Sequence, residues 1–374
     1  MTDLTGGTAE LQPTVASAAG IPQPRLQAPR GLRRMGMIMT SNRLWKSTMR
    51  PYPQMMILQM RISCRPPWML SSYTASLTSS VIDYPIENGR RYHAYRAGSY
   101  FMPNDQNEMD RLDYAHLVTT KILGDKLYVA PIEEKIIHQV LDIGTGTGLW
   151  AIDFADRFPA AEVHGIDLSA IQPEWAPPNV KFEIDDVESP WVDRTYDFIN
   201  CHWMMGSIQD WPKLISNCYK NLNPGGWAEF LEMGGEYSSD DGSFTHHHAT
   251  YKWIKTLFDG IASTGRDSRP GTKLKGWVEN AGFENITYKK VKVPLGVCPK
   301  DPYYKEMGFL NLTNLLDGLE AFTLRIFCGV LGFTKEKTML QLAEVRKELK
   351  DKRSFDAYYE VHIVCGQKPA GNAE

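Results

Sequence analysis

The residues in this chain that are best suited to chemistry are an acid and three glycines that lie at the end of one apolar stretch. The stretch 140–143 reads as a buried strand that contains Asp142, and Gly144, Gly146 and Gly148 come directly after it. Glycines let a backbone turn tightly and approach a ligand closely, and amides at the start of the following helix can bind an anionic group. Enzymes that use nicotinamide or flavin cofactors carry G-x-G-x-x-G instead. The G-x-G-x-G spacing therefore disfavours hydride transfer.

Two further acids follow at the ends of the next two predicted strands. Asp167 lies about 20 residues beyond the glycines, where an acid accepts the two hydroxyls of a ribose. Asp186 ends the third strand and fits an adenine amino group, with the amide of Val187 facing a ring nitrogen. Taken singly, Asp167 is equally a helix cap and Asp186 a surface acid. Their succession beside the glycine turn predicts S-adenosylmethionine (SAM) as the cofactor and methyl transfer as the reaction.

The predicted cofactor site lies beyond the carboxyl ends of the strands, where open parallel sheets bind their ligands. There Asp142 can accept a hydrogen bond from the cofactor's amino group, directly or through water. The residues that we expect to bind the cofactor are Asp142, Gly144, Thr145, Gly146, Gly148, Asp167, Leu168, Asp186 and Val187.

Strands and helices alternate through most of the chain, which is typical of an α/β fold with a parallel sheet covered by helices on both faces. We predict strands over 140–143, 162–166, 180–184, 196–201, 227–232, 286–295 and 357–365. One helix is expected to follow an N-cap at Asn104 or Asp105 and to end at Leu123. Further helices are expected over 150–158, 211–222, 274–281 and, roughly, 302–349. Asp197 is expected to be structural, at the start of the fourth strand. Two segments, about 236–270 and 300–355, look inserted and are placed to roof the cofactor edge.

The N-terminal segment differs in composition from the rest of the chain. Residues 1–70 are rich in Pro, Ala, Ser, Arg and Met without sustained periodicity, so we expect them to be mostly disordered. We assign residues 71–374 to one catalytic domain, in which residues 71–130 form an N-terminal cap. Residues 1–82 contain nine basic and two acidic side chains, so the remainder is acidic, given a net charge of −3 for the whole chain. An acidic body without a basic stripe is a poor binder of nucleic acid.

The chain contains no apolar run long enough to cross a bilayer, so we expect no membrane span. Its six cysteines are scattered and include no C-x-x-C pair. Reduced thiols in a cytoplasmic or nuclear protein are the simplest interpretation.

The acceptor side of the site is less defined by the sequence. His202 follows the fourth strand, near the expected sulfonium, and an imidazole there can take a proton near neutral pH. A packed or solvated histidine is the alternative. Trp203, Met204 and Met205 either line the same edge or fill the core. No further catalytic residue is predicted.

Neither a metal site nor a cofactor lid is clearly encoded. Neighbours in the run His246–His248 point in different directions on a helix, so a solvated loop is the better interpretation. No acid or amide set has the spacing of magnesium ligands, so we predict no metal. Tyr92, Tyr95 and Tyr100 precede the sheet and form either an aromatic lid over the cofactor or a structural staple.

From Ser71 to the C-terminus, the chain resembles the fungal LaeA-like methyltransferases, which are class I SAM enzymes. The motifs that carry the resemblance lie at 71–76, 87–93, 141–148, 167–173, 185–188, 206–212 and 222–227. The resemblance implies a Rossmann-like sheet of seven mostly parallel strands with a reversed last strand. It also implies a role in secondary metabolism, as a regulator or as a tailoring enzyme. The region around His202 is variable in such proteins, so it implies no catalytic base.

Three functions can be weighed against these patterns. The first is a small-molecule methyltransferase, in which the apolar segment Met307–Phe333 either caps the acceptor pocket or packs into the core. The second is a nuclear regulator that binds SAM and acts through protein partners. A hydride-transfer enzyme is the third and is disfavoured by the glycine spacing.

Overall fold

The computed structural model describes residues 70–71, 82–192, 194–351 and 353–371. We predicted disorder for residues 1–70, and of these all but Leu70 lie outside the described residues, as do residues 72–81. No helix in the described ranges has both the length and the apolarity that a membrane crossing requires.

Seven strands form the central sheet, and all correspond to predicted strands. In chain order they are β1 (Gln139–Ile143), β2 (Glu162–Asp167), β3 (Val180–Ile184), β4 (Tyr196–His202), β5 (Leu222–Met233), β6 (Glu284–Pro294) and β7 (Tyr358–Gln367). Their spatial order is β6-β7-β5-β4-β1-β2-β3. β7 runs antiparallel to both of its neighbours, and the other pairings are parallel. The predicted seven-stranded sheet with a reversed last strand is confirmed.

The described part of the chain forms seven α-helices. They are α1 (Gln106–Ile122), α2 (Leu149–Arg157), α3 (Trp211–Lys220), α4 (Ala249–Ser263), α5 (Leu274–Asn280), α6 (Pro302–Leu324) and α7 (Lys335–Lys350). Short 3-10 turns lie at Glu134–Ile136 and Pro270–Thr272, and a π-helical turn, Arg325–Val330, follows α6. The sequence predicted one helical stretch where α6 and α7 stand apart. Gly332, with φ +71°, lies in the turn that separates them.

Local sequence explains where several helices begin and end. Asp105 caps α1, because its side chain accepts the amide of Glu108. Asp210 caps α3 through the amide of Lys213. The sequence predicted that α3 ends at Leu222, but the helix ends earlier. Leu222 is the first residue of β5 and pairs with Tyr196.

The core has three parts, one of which covers the site. One cluster packs α2 on the sheet, with Trp150, Phe154 and Phe158 at its centre. A second lies between the sheet and the helices α3 and α5. The third and largest joins α1, α4, α6 and α7 to the ends of β5 to β7. The two segments predicted as insertions thus supply most of a helical cover over one end of the sheet.

Asp197 has the structural role that the sequence predicts. One of its carboxylate oxygens accepts the amides of His138 and Gln139 at 2.8 and 2.9 Å. The other accepts the side-chain amide of Asn223 at 2.6 Å. The carboxylate therefore fastens the start of β1 to β4 and β5, at the sheet end that lies away from the predicted site.

Candidate functional site

One cavity of about 670 Å³ lies at the carboxyl ends of β1 to β4, under α1 and the helical cover. Eight of the nine predicted cofactor residues line it, and Gly148 does not. A Cβ built on Gly148 would lie 2.4 Å from the ring of Phe182. The third glycine, at φ +80°, thus allows the start of α2 to pack against β3.

The glycine turn has a left-handed backbone that is held by its neighbours. Gly144, Gly146 and Gly148 have φ values of +71°, +57° and +80°, which favour glycine. The amides of Gly144 and Thr145 both donate to the carbonyl of Ile166 on β2, at 2.9 and 3.0 Å. The turn is therefore tied to the neighbouring strand.

Asp142 lies under the turn and is almost fully buried. Its carboxylate accepts the Thr145 hydroxyl at 2.7 Å and the Asn200 side-chain amide at 2.8 Å. Burial raises the pKa of Asp142, and these two hydrogen bonds oppose the rise. The side-chain oxygen of Asn200 is buried without a partner within the described structure. The floor of the cavity therefore combines a fixed carboxylate with an unused acceptor.

Asp167 lies at the end of β2 with both carboxylate oxygens in use. One accepts the amide of Gly146 and the other that of Ser169, each at 2.9 Å. Burial is the largest influence and raises the pKa of Asp167 to about 6, although the backbone hydrogen bonds favour the charged form. The carboxylate connects β2 to the glycine turn and also faces the cavity.

The end of β3 is covered by the part of the N-terminal cap that lies before α1. Arg96 forms an ion pair with Asp186 at 3.0 Å and donates to the Ser189 hydroxyl at 2.7 Å. Asp186 also accepts the amide of Glu188 at 2.9 Å. The sequence did not single out Arg96. Its contact means that the Asp186 carboxylate is partly committed to the cap.

The three cap tyrosines have different surroundings. Tyr100 lines the cavity, whereas Tyr95 lies farther out, with its hydroxyl 3.4 Å from Asp185. Tyr92 is fully buried beneath the guanidinium of Arg325, which lies 4.3 Å from the ring centre. The lid interpretation therefore fits Tyr100, and the staple interpretation fits Tyr92.

The loop after β4 has an unusual backbone held by a buried acid. Trp203 has φ +60°, and its indole donates to the Thr119 hydroxyl at 2.7 Å. Glu232 accepts the amides of Met204 and Met205. Burial raises the pKa of Glu232 to about 8, against the effect of these hydrogen bonds. Trp203, Met204 and Met205 all line the cavity, as expected if they lie along the edge of the site.

A row of polar residues crosses the sheet next to this loop. Asp142, Asn200, Glu229 and Cys365 are paired in register on β1, β4, β5 and β7. Glu229 is fully buried and accepts the amides of Val129 and Ala130, both at 2.7 Å. Glu229 was not among the residues that we predicted for the site. The one feature of the sequence that could have pointed to it is that it is an acid in the middle of an apolar predicted strand.

His202 joins the polar row from the end of β4. Its Nε2 lies 3.2 Å from Oε1 of Glu229, and only 7% of its side chain is exposed. The ring lines the cavity. His202 is therefore packed against a carboxylate and also faces the site.

The wall opposite the glycine turn is apolar and comes from α4, α6, the loop after β5 and the start of β7. It is formed by Tyr237, Trp253, Leu257, Phe258, Phe322 and Tyr359. The Tyr359 hydroxyl donates to Asn311 at 3.0 Å. The hydroxyl of Tyr237 has no hydrogen-bond partner among the described residues. Met307 and Leu310 are buried in the core, whereas Leu315 lines the cavity as well. The α6 segment therefore packs into the core and also lines the cavity.

The histidine run lies away from this cavity. His246 and His247 are exposed in a turn, and His248 is the residue that precedes α4. Within the described ranges, no group of three or more His, Cys, Asp or Glu side chains is arranged to hold a metal ion.

Comparison with known proteins places this site in a family. Residues 102–288 match the family model described as a methyltransferase domain. The chain is 45% identical to methyltransferase pytC of Aspergillus terreus over 80% of this chain and 92% of that protein. It is 35% identical to the secondary metabolism regulator LAE1 of Cochliobolus heterostrophus over 76% of this chain and 94% of that protein.

A third relative is the protein-methionine methyltransferase laeA of Emericella nidulans. It is 33% identical over 76% of this chain and 76% of that protein. The match to a methyltransferase model agrees with the G-x-G-x-G turn and the strand-end acids. The chain belongs to the LaeA-like family of SAM-dependent methyltransferases of fungal secondary metabolism.

Proposed function

We propose that the polar half of the cavity holds SAM in one orientation. Its methionine part lies over the turn at Gly144 and Gly146, with its amino group near Asp142 and Asn200. The ribose hydroxyls donate to Asp167. The adenine lies at the end of β3, near the carboxylate of Asp186 and the amide of Val187, with Leu168 as an apolar contact. Thr145 and Gly148 act indirectly, by fixing Asp142 and the start of α2.

The chain's own groups support this fit. The unpartnered oxygen of Asn200 offers an acceptor to an ammonium group. The turn forms a cradle that any side chain would fill, because a Cβ on Gly144 would lie 2.3 Å from the sulfur of Met204. Carboxylates at successive strand ends match the amino, ribose and adenine donors of the cofactor.

We further propose that the acceptor is a small, largely apolar molecule that binds against the helical cover. The observation that carries this proposal is that the glycine turn and the aromatic wall line one and the same cavity. Aromatic walls with a few polar groups are typical of small-molecule sites. The Tyr237 hydroxyl is available to orient a polar group of the acceptor.

Bound SAM supplies a methyl group that is already activated for transfer. The residues of the chain therefore act mainly by orienting the acceptor and excluding water. Correct orientation alone can contribute about 7–11 kcal/mol in well-aligned cases. The helical cover excludes water on one side, and the cap with Tyr100 excludes it on the other.

Label transfer tests this function directly. Purified protein is incubated with methyl-labelled SAM and an extract of a culture that lacks the gene, and we expect label in a small organic product.

Gly146→Ala should reduce transfer at least about tenfold, since φ +57° strains alanine by about 1–2 kcal/mol. Its Cβ would also enter the gap towards Leu112, at 3.5 Å. Gly98→Ala, at φ +91° with nothing within 4 Å, is the control for backbone strain alone. Label that does not depend on Gly146 would contradict the proposal.

A second candidate acceptor is a methionine side chain, as the name of the Emericella nidulans relative states for that protein. The observation in its favour is the position of the Met204 sulfur beside the glycine turn. After incubation with SAM alone, peptide mass spectrometry should then find one added methyl group on Met204. The variant Met204→Leu should abolish it. An unmodified Met204 would exclude this residue as the acceptor.

We propose that the reaction takes place in the cytoplasm or the nucleus. All five cysteines of the described residues carry free thiols, which supports a reducing compartment. If the chain also acts through protein partners, a pull-down from nuclei should recover stable complexes.

A further inference from the structure

We propose that His202 is the general base of the methyl transfer and that Glu229 positions it. The acceptor is then a molecule with a hydroxyl group on an otherwise apolar ring. The proposal rests on the methyl transfer to a small molecule proposed above. It adds the identity of the base and the chemical class of the acceptor atom.

The position of His202 follows from strand register. Ile143 pairs with Cys201, so His202 lies beside Gly144 where β1 and β4 end. Its Nε2 lies 3.2 Å from Glu229, and no group of the described residues bonds to its Nδ1. Because the ring lines the cavity, Nδ1 is the nitrogen available to a bound molecule.

Glu229 decides which ring nitrogen carries the proton. The amides of Val129 and Ala130 both donate to Oε2, and Oε1 remains for His202. The thiol of Cys365 lies 3.4 Å from Oε2 as an additional donor. A carboxylate held by these donors acts as an acceptor, so the imidazole donates from Nε2 and keeps a lone pair on Nδ1. The same logic orients the histidine of a serine-protease triad.

This arrangement suits an acceptor that must lose a proton. As the acceptor oxygen forms a bond to the methyl carbon, the bond from that carbon to the cofactor sulfur breaks. The O–H proton passes to Nδ1 of His202, and Glu229 stabilises the resulting imidazolium. The proton then leaves to solvent. A thioether or an ionised carboxylate has no proton to give, so neither would use this base. The aromatic wall around Tyr237 and Trp253 selects a ring system to carry the hydroxyl.

Proton positions can be measured without any acceptor. In protein labelled with ¹⁵N-histidine, we expect the His202 proton on Nε2. In Glu229→Gln, the amide oxygen should take the two backbone N–H groups, which turns its NH₂ group towards His202 and moves the proton to Nδ1. A proton on Nδ1 of the unaltered protein, or no change in Glu229→Gln, would overturn the positioning role.

Transfer rates test the base itself, with the culture extract and simple phenols as probes. We expect His202→Gln and Glu229→Gln to lower kcat by about 10²–10⁴-fold while the Kd for SAM is unchanged. Added imidazole should restore part of the activity of His202→Ala. The controls are His138→Gln and Glu284→Gln, which alter exposed residues outside the site.

The product distinguishes the remaining outcomes. A labelled methyl ether, stable to mild alkali, is expected. A base-labile ester, an N-methyl product or a sulfonium would refute the hydroxyl acceptor and leave the proposed methyltransferase function intact. Unchanged rates in both variants would refute the base. If the unaltered protein binds SAM and methylates neither extract nor phenols, the proposed function fails and this inference fails with it.

Discussion

Replacing Asp167 with Asn should lower the affinity for SAM by about 10²–10³-fold. The carboxylate is the proposed acceptor for two ribose hydroxyls, and a hydrogen bond to a charged group contributes about 1.5–3 kcal/mol. An amide keeps one acceptor and also places an NH₂ group against the amide of Gly146 or Ser169, both of which now donate at 2.9 Å. Isothermal titration with SAM measures the loss. Asp301→Asn is the control, because Asn caps α6 as well as Asp does.

The same carboxylate should make cofactor binding depend on pH. With the pKa of Asp167 raised to about 6, the group is ionised above that pH and protonated below it. Affinity for SAM should therefore weaken as the pH falls through about 6. The stability of the protein without SAM should change with pH in the opposite direction. Because the pKa of Asp167 is raised in the folded state, its ionisation lowers the free energy of unfolding as the pH rises through about 6. Asp113, whose pKa is also raised to about 6, titrates in both proteins. The contribution of Asp167 is therefore the difference in the pH dependence of SAM affinity between the original protein and Asp167→Asn. If the two proteins show the same pH dependence, Asp167 does not have the proposed role.

Gly308→Ala should lower the free energy of unfolding by about 3 kcal/mol or more. Gly308 lies within α6, where a Cβ would come 1.9 Å from the carbonyl oxygen of Gly296. A backbone atom cannot rotate away as a side chain can, so α6 must separate from the loop after β6. Overpacking of a core costs about 1–3 kcal/mol and at times more. Urea denaturation followed by fluorescence measures the change.

Gly276→Ala is the matched control within the same protein. Gly276 also lies in a helix, α5, and an added Cβ there meets nothing within 4 Å. Alanine should stabilise that helix by about 0.5–1 kcal/mol. Because α6 forms part of the apolar wall, Gly308→Ala should also raise the KM for the acceptor more than the Kd for SAM. Equal stability of the two variants would show that α6 does not approach Gly296 this closely.

The residues of the proposed cofactor site could be brought together from the sequence because their signals are local. The glycine spacing fixes a turn after β1, and Asp142, Asp167 and Asp186 lie in or directly after predicted strands. The rule that parallel strands share one carboxyl edge then brings these residues together. The sequence could not show that Gly148 packs against Phe182, or that Arg96 pairs with Asp186, which lies 90 positions further along the chain.

By itself, the sequence determined the α/β fold, the cofactor and the family, since each rests on periodicity or on motifs within a few residues. Only the tertiary structure decided the pairing of His202 with Glu229 and the support of the Met204 loop by Glu232. Both depend on the register between β4 and β5, which is set by packing across the whole sheet. The apolar wall likewise forms only once residues from two distant insertions and from β7 pack over one edge of the sheet, because burial of apolar surface has no local sequence code.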